Sequence, residues 1–220
     1  MGSVGRALQL LGKQYDVALR EPRDPFALIV WENCAYLVDD ERRERTFSEL
    51  VKRVGLTPAT LLAAGAKKVE RAIVNGGMQL SHRTTKVLRC AVIALEQADG
   101  DLAQALGSLD PKNQRKLLKL FPGIADPGAD KVLLLCAFSN GPALESNGLR
   151  VLERLGVIPS GLAYAASYKA GVASIAEAKV DVLEAFALLR DHGRTLCKRN
   201  EPACPVCPLR KTCAFGKSQE

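Results

Sequence analysis

Residues 196–213 read Leu-Cys-Lys-Arg-Asn-Glu-Pro-Ala-Cys-Pro-Val-Cys-Pro-Leu-Arg-Lys-Thr-Cys, which puts Cys197, Cys204, Cys207 and Cys213 at gaps of six, two and five residues. Four thiolates in so short a loop suit one metal centre, and metal binding there contributes folding free energy directly. Four-cysteine zinc sites usually come as two separated C-x2-C pairs. Only one such pair is present here, and a single compact loop suits an iron–sulfur cluster held by four thiolates. Lys198, Arg199, Arg210 and Lys211 line the loop, and basic side chains so placed point to phosphate contacts. Cys34, Cys90 and Cys136 stand in apolar helical contexts and read as buried thiols. Seven cysteines in all, an odd number, fit a reducing compartment better than a disulfide framework.

The rest of the composition is that of a globular protein. The chain has 220 residues, 47% of them hydrophobic, and 31 Lys and Arg against 24 Asp and Glu give a net charge of +7. A sequence pI near 9.1, with the basic residues spread along the chain, suits a folded surface for a polyanion. The longest apolar runs are about seven residues, far short of a bilayer span. No apolar signal segment follows the first basic residues. The expectation is a cytoplasmic, nucleoid-associated protein with no membrane partner.

Nearly all of the chain reads as helix, with Val, Ile and Leu at three- and four-residue spacing and no convincing alternation of period two. Asp24-Pro25, Asp110-Pro111, Asp126-Pro127 and Thr57-Pro58 each join a side chain that caps to a proline that suits the first helical turn. Helices are expected near 4–18, 25–37, 46–53, 58–64, 66–74, 81–97, 101–107, 112–120, 128–138, 146–155, 161–172 and 176–190. Asp126 is expected to cap the helix that follows it.

Three further stretches carry chemistry. Residues 120–128, Leu-Phe-Pro-Gly-Ile-Ala-Asp-Pro-Gly, lie between a basic helix and an apolar one. A turn of this kind offers the backbone N–H groups of Gly123, Ile124 and Ala125 to a phosphate without reading any base. In residues 144–156, Glu145 opens a helix, where the positive end of the dipole favours a carboxylate anion. Such an anion stabilises an oxocarbenium-like sugar. In Trp31-Glu32-Asn33-Cys34-Ala35-Tyr36, burial of Glu32 on an apolar helix would raise its pKa and make it a proton donor. An outward-facing Glu32, or one paired with Arg83, is the alternative. Tyr36, an aromatic, and Met78, after Gly76-Gly77, are each large enough to wedge into a stack of bases.

These stretches, in this order, resemble the helix-hairpin-helix DNA glycosylases, in the iron–sulfur branch that holds endonuclease III and the adenine glycosylases. The likeness runs over roughly residues 20–215. The cysteine loop resembles that family's [4Fe-4S] loop, and 120–128 resembles its hairpin, with Ala125 in place of the second glycine and one residue inserted. The segment 144–156 resembles its acidic helix start, with Glu145 where the family has Asp and Asn147 matching the adenine glycosylases. Glu32 and Tyr36 keep the spacing of the adenine glycosylases' Glu and Gln, with Tyr for Gln.

The resemblance implies an all-α, two-lobed fold with a C-terminal [4Fe-4S] cluster loop. One lobe would be a six-helix barrel at 24–139 that includes the hairpin 121–128. The other would be a cluster domain of 1–23 plus 140–220, with the cluster loop at 197–213. It further implies a monomeric repair enzyme that binds double-stranded DNA, flips a damaged or mispaired base and hydrolyses its N-glycosidic bond. Glu32 would be the general acid, Glu145 the oxocarbenium stabiliser and Asn147 a helper. The family's lyase members carry a lysine after the hairpin, and that position falls here on Gly128 or Pro127, so water is the expected nucleophile. Lys131 is expected as a surface lysine facing DNA. Two other readings stay open: a bifunctional glycosylase and abasic-site lyase using Lys131, and a catalytically inactive protein that binds DNA structure or damage.

Overall fold

The computed structural model describes residues 3–16 and 18–218. In chain order the helices are α1 (Ser3–Gly12), α2 (Pro25–Cys34), α3 (Asp40–Arg53), α4 (Pro58–Ile73), α5 (Leu80–Ala98) and α6 (Leu102–Gly107). Then follow α7 (Pro111–Leu118), α8 (Asp126–Leu135), α9 (Ser146–Leu155), α10 (Tyr164–Ala178), α11 (Val182–Thr195) and α12 (Ala214–Lys217), with 3-10 turns at Cys204–Val206 and Arg210–Thr212. No strand occurs among the described residues; the sole extended pairing is an isolated bridge between Tyr36 and Gly77. The chain divides into two compact units, Arg20–Ser139 and Met1–Leu19 with Asn140–Glu220. We call them the hairpin unit and the cysteine unit.

The hairpin unit is built around α2, in which Pro25 to Trp31 are all buried. A helix that is apolar all round belongs in a core. Leu28, Ile29 and Val30 are wholly inaccessible, and each such side chain contributes about 1.5–3 kcal/mol. Asp24 caps α2 through the amide of Ala27 at 2.7 Å, and Pro25 takes the first helical position. α4 contains Gly65 with φ 69° and ψ 171°, so the break expected there is present inside one continuous run.

α3 begins six residues before the expected 46. Its first turn is charged and exposed and shows no apolar periodicity. Asp39 nonetheless caps it through the amide of Arg42 at 2.7 Å, and Asp40 and Glu41 favour the first turn. α2 stops at Cys34, not 37, and α8 runs over 126–135, not 128–138.

The cysteine unit packs α1, α9, α10 and α11 around Leu8, Leu11, Leu144, Leu149, Leu152, Ile175, Leu188 and Leu189. α1 ends at Gly12, earlier than the expected 18, and the chain turns back onto the carbonyl of Leu11. The expected boundary between 161–172 and 176–190 lies further on, between α10 and α11. Ala173 and Ala176 to Ala178 continue α10, and Asp181 caps α11 through the amide of Glu184 at 2.8 Å. At Gly193 of α11 an added Cβ would lie 2.5 Å from the carbonyl oxygen of Asn147. The start of α9 and the end of α11 therefore touch backbone to backbone, and only glycine allows it.

Candidate active site and cysteine centre

In the hairpin unit Glu32 meets Lys131. Lys131 Nζ lies 2.9 Å from Glu32 Oε1 and 3.4 Å from Glu21 Oε1. The lysine side chain is 9% exposed, that of Glu21 1% and that of Glu32 33%. Two corrections follow. Lys131 is not a surface lysine; it is buried, and α8 turns it toward two carboxylates. Glu32 does not sit in the apolar burial expected of it: its side chain is one-third exposed and lies against the Lys131 ammonium. Nor does Arg83 pair with Glu32. Arg83, 2% exposed, donates to main-chain carbonyls instead: Nη1 to Cys34 and Ile73 at 2.6 and 2.9 Å, Nη2 to Gly77 at 2.9 Å and Nε to Met78 at 2.8 Å.

That clamp brings Tyr36 and Met78 side by side. The Tyr36 amide donates to the Gly76 carbonyl at 2.8 Å, and the Met78 amide to the Tyr36 carbonyl at 3.3 Å. Arg43 Nη1 reaches the carbonyls of Trp31, Glu32 and Ala35, so the C-terminus of α2 is satisfied by two arginines. Tyr36 is 44%, Leu37 69% and Met78 61% exposed. A large apolar group is thus presented on two joined segments.

The hairpin runs from α7 to α8. Gly123 has φ +76°, and the buried Asn33 side chain donates to the Pro122 carbonyl at 2.9 Å, fixing the turn to α2. Two expectations are corrected here. Ile124 is buried and its amide donates to the Phe121 carbonyl at 3.1 Å, so it offers no donor to a phosphate. Asp126 does not cap α8. Ala125 holds the cap position without a side-chain bond, and Asp126 is ion-paired with Lys119 at 2.8 Å. The amides of Gly123 and Ala125, both exposed, have no partner among the described residues.

In the cysteine unit Glu145 immediately precedes α9 and makes no side-chain capping bond. Its Oε1 lies 3.1 Å from Nε of Arg190, whose side chain is 8% exposed. The carboxyl group thus stands at the positive end of the α9 dipole and against a buried guanidinium. Tyr164, at the start of α10, is close enough for the Glu145 charge to act with burial in pushing its hydroxyl pKa up. Asn147 accepts from Arg150 Nη2 at 2.9 Å. The same guanidinium donates to the carbonyls of Gly193 at 2.6 Å and Cys197 at 3.0 Å. Arg150 therefore joins the start of α9 to the start of the cysteine loop.

Cys197, Cys204, Cys207 and Cys213 are free thiols, all half-buried. All four line one almost wholly apolar pocket with Val151, Leu155 and Leu209. Arg154 braces the loop. It donates to the Lys198 carbonyl at 2.7 Å, the Arg199 carbonyl at 3.0 Å and Cys197 Sγ at 3.3 Å, and it stacks 4.6 Å over the Phe215 ring. The Gly216 amide donates to Cys213 Sγ at 3.4 Å. N–H donors aimed at sulfur suit thiolate ligands of a cluster. By number, common pocket and surrounding donors the four cysteines fit a [4Fe-4S] cluster. Among the described residues no group of three or more His, Cys, Asp or Glu side chains is arranged to hold a single ion. Lys198, Arg199 and Lys211 are exposed, and Arg210 is half-buried. Cys34, Cys90 and Cys136 are apart from this centre, and burial pushes each thiol up to about 12.

No family model matches the chain. Curated relatives do. An endonuclease III of Sulfolobus acidocaldarius is 27% identical over 197 residues, 88% of this chain and 83% of that one. A thymine-DNA glycosylase of Aeropyrum pernix is 28% identical over 204 residues, 91% and 86% of the two chains. A solved endonuclease III–DNA covalent intermediate superposes with a TM-score of 0.80 at 19% identity, covering 100% of this chain and 99% of that one. The fold is that of the two-lobed helix-hairpin-helix glycosylases. Over most of its length the chain is similar to endonuclease III-like members of that superfamily.

Glu21, Arg150, Arg154, Arg190 and His192 carry no role in the expectations read off the sequence, and Arg83 enters them only as a partner for Glu32. Each is a charged or polar residue inside an otherwise apolar element or at its edge, and Arg190 follows the run Phe186 to Leu189. A buried charge needs a partner, and that was the available signal.

Proposed function

We propose that the protein is a monofunctional DNA repair glycosylase that flips a damaged or mispaired base from duplex DNA and hydrolyses its N-glycosidic bond. The observation that carries this is Glu145, an anion held at the start of α9 by the buried Arg190, in a chain with the endonuclease III fold along its whole length. Tyr36 and Met78 fill the stack as the base leaves it, and the amides of Gly123 and Ala125 take a backbone phosphate. Lys198, Arg199, Arg210 and Lys211 add phosphate contacts, and Lys131 does not. Glu32, whose side chain is one-third exposed, takes a proton from solvent and delivers it to the departing base, while Lys131 stays an ammonium between Glu32 and Glu21. The electron pair of the C1′–N bond leaves with the base. The Glu145 carboxylate stabilises the positive charge that develops on the sugar, then takes the proton of the water that adds to C1′. Asn147, held by Arg150, orients that water.

Water is the nucleophile because Pro127 and Gly128 stand where lyases carry lysine, and Lys131 is engaged with two carboxylates. Cys197, Cys204, Cys207 and Cys213 would hold a [4Fe-4S] cluster, whose contribution is to fix the 197–213 loop. The enzyme acts as a monomer on DNA in the cytoplasm.

The test is single-turnover excision on duplexes with uracil, thymine opposite guanine, hypoxanthine, and alkylated or oxidised purines, with and without borohydride. Excision of at least one base, abolished in Glu145→Gln and with no trapped adduct, is expected. A trapped adduct lost in Lys131→Ala establishes the lyase instead. Binding to several lesions without release of any base establishes an inactive damage-binding protein.

A further inference from the structure

His192 takes no part in the reaction above, yet its ring is held at both nitrogens. It is 1% exposed on α11. Its Nδ1 lies 2.9 Å from the Tyr15 hydroxyl and its Nε2 3.5 Å from Cys207 Sγ. Tyr15 also lies 3.0 Å from Thr195 Oγ1, and Thr195 donates its own proton to the Asp191 carbonyl at 2.8 Å. The Tyr15 and His192 rings meet edge to face, centroids 5.8 Å apart.

Counting protons fixes the network. Thr195 has one hydroxyl proton, and a carbonyl takes it, so Tyr15 donates to Thr195. Tyr15 then has none left for His192, so Nδ1–H donates to Tyr15 and Nε2 accepts from the Cys207 thiol. As a metal ligand Cys207 carries no proton, and the same tautomer would set a lone pair against a thiolate.

We propose that His192 is a positioning residue for the cysteine centre: with Cys207 as a ligand, Nε2–H donates to its sulfur, and Tyr15 turns its hydroxyl proton from Thr195 to Nδ1 to hold that tautomer. A donor to a ligating sulfur withdraws charge from the centre and raises its reduction potential. The inference rests on the cluster reading above.

The experiment uses the full chain, purified without oxygen and assayed for iron, with 15N-labelled histidine. The chain has two histidines, and His82→Gln leaves the signals of His192 alone. The iron-loaded protein is expected to show the Nε2–H tautomer with Nδ1 as acceptor. The reduction potential is expected to fall in His192→Leu, and in the same direction but less in Tyr15→Phe, which keeps the measurement available if the first variant does not fold. An Nδ1–H tautomer in the iron-loaded protein, or a wild-type potential in iron-loaded variants, overturns the proposal. Zinc in place of iron in the wild type overturns the cluster reading itself, and iron analysis separates the two failures.

Discussion

Arg83→Met removes a buried donor that holds four backbone acceptors. The contacts are 2.6–2.9 Å long and come from α2, α4 and the Gly77–Met78 turn. A hydrogen bond from a charged donor contributes about 1.5–3 kcal/mol net, so four give roughly 6–12 kcal/mol. Desolvating a guanidinium takes back several kcal/mol, and burial does pull the Arg83 pKa down. Methionine fills much of the volume but leaves carbonyls without donors. The expected loss is about 3–5 kcal/mol, the range for breaking a buried charged network.

The assay is equilibrium urea unfolding, with Arg42→Met as control, since Arg42 makes one contact to the Asn75 carbonyl at an exposed site. Arg83→Lys keeps the charge but not the planar fork, so it should recover less than half of the loss. The same variants should release the Tyr36–Gly77 pairing, seen as faster exchange of the Tyr36 amide. A loss below about 1 kcal/mol for Arg83→Met, within the range of ordinary surface changes, would refute the clamp.

Other outcomes follow from the same geometry. Gly77→Ala puts a Cβ 2.2 Å from the Tyr36 carbonyl at φ +93°, and thermal unfolding should show a loss of at least about 2 kcal/mol. Lys131→Met removes the ammonium from beside the buried Glu21 carboxylate and should cost about 3 kcal/mol; Lys131→Met with Glu21→Gln should regain most of it in urea unfolding. Glu145→Gln should slow excision about a hundredfold or more with little change in DNA binding, read by single-turnover kinetics and anisotropy. Cys34 and Cys90, with thiols pushed up to about 12, stay protonated throughout the neutral range, so iodoacetamide should leave both unmodified in the native protein, as peptide mass spectrometry would show.

Helix starts were legible at Asp24-Pro25, Thr57-Pro58 and Asp110-Pro111, where a capping side chain and a proline stand together, but not at Asp126-Pro127, where Ala125 takes the cap position. Gly65 announced its break because left-handed backbone is cheap only for glycine. α3 was read short because its first turn is charged and its signal lies in Asp39, outside the apolar pattern. Spacing also brought the four cysteines to one pocket. The pairings of Lys131 with Glu21 and Glu32, and of Glu145 with Arg190, were not legible. They join residues far apart in sequence, and periodicity reports only which face of an element is apolar. Tyr36 and Met78 were read as separate wedges. The bond that unites them runs through main-chain atoms, which side-chain identity does not encode.

Arg150 gives the cysteine unit a mechanical property. One guanidinium grips the side chain of Asn147 and the carbonyl of Cys197, while Gly193 presses against the Asn147 backbone. A disturbance of the sulfur loop, such as oxidation of one thiol, is transmitted to Asn147, two residues after Glu145, with no slack between them. Oxidation of a thiol would then shift Asn147 while leaving the Glu145–Arg190 contact itself untouched.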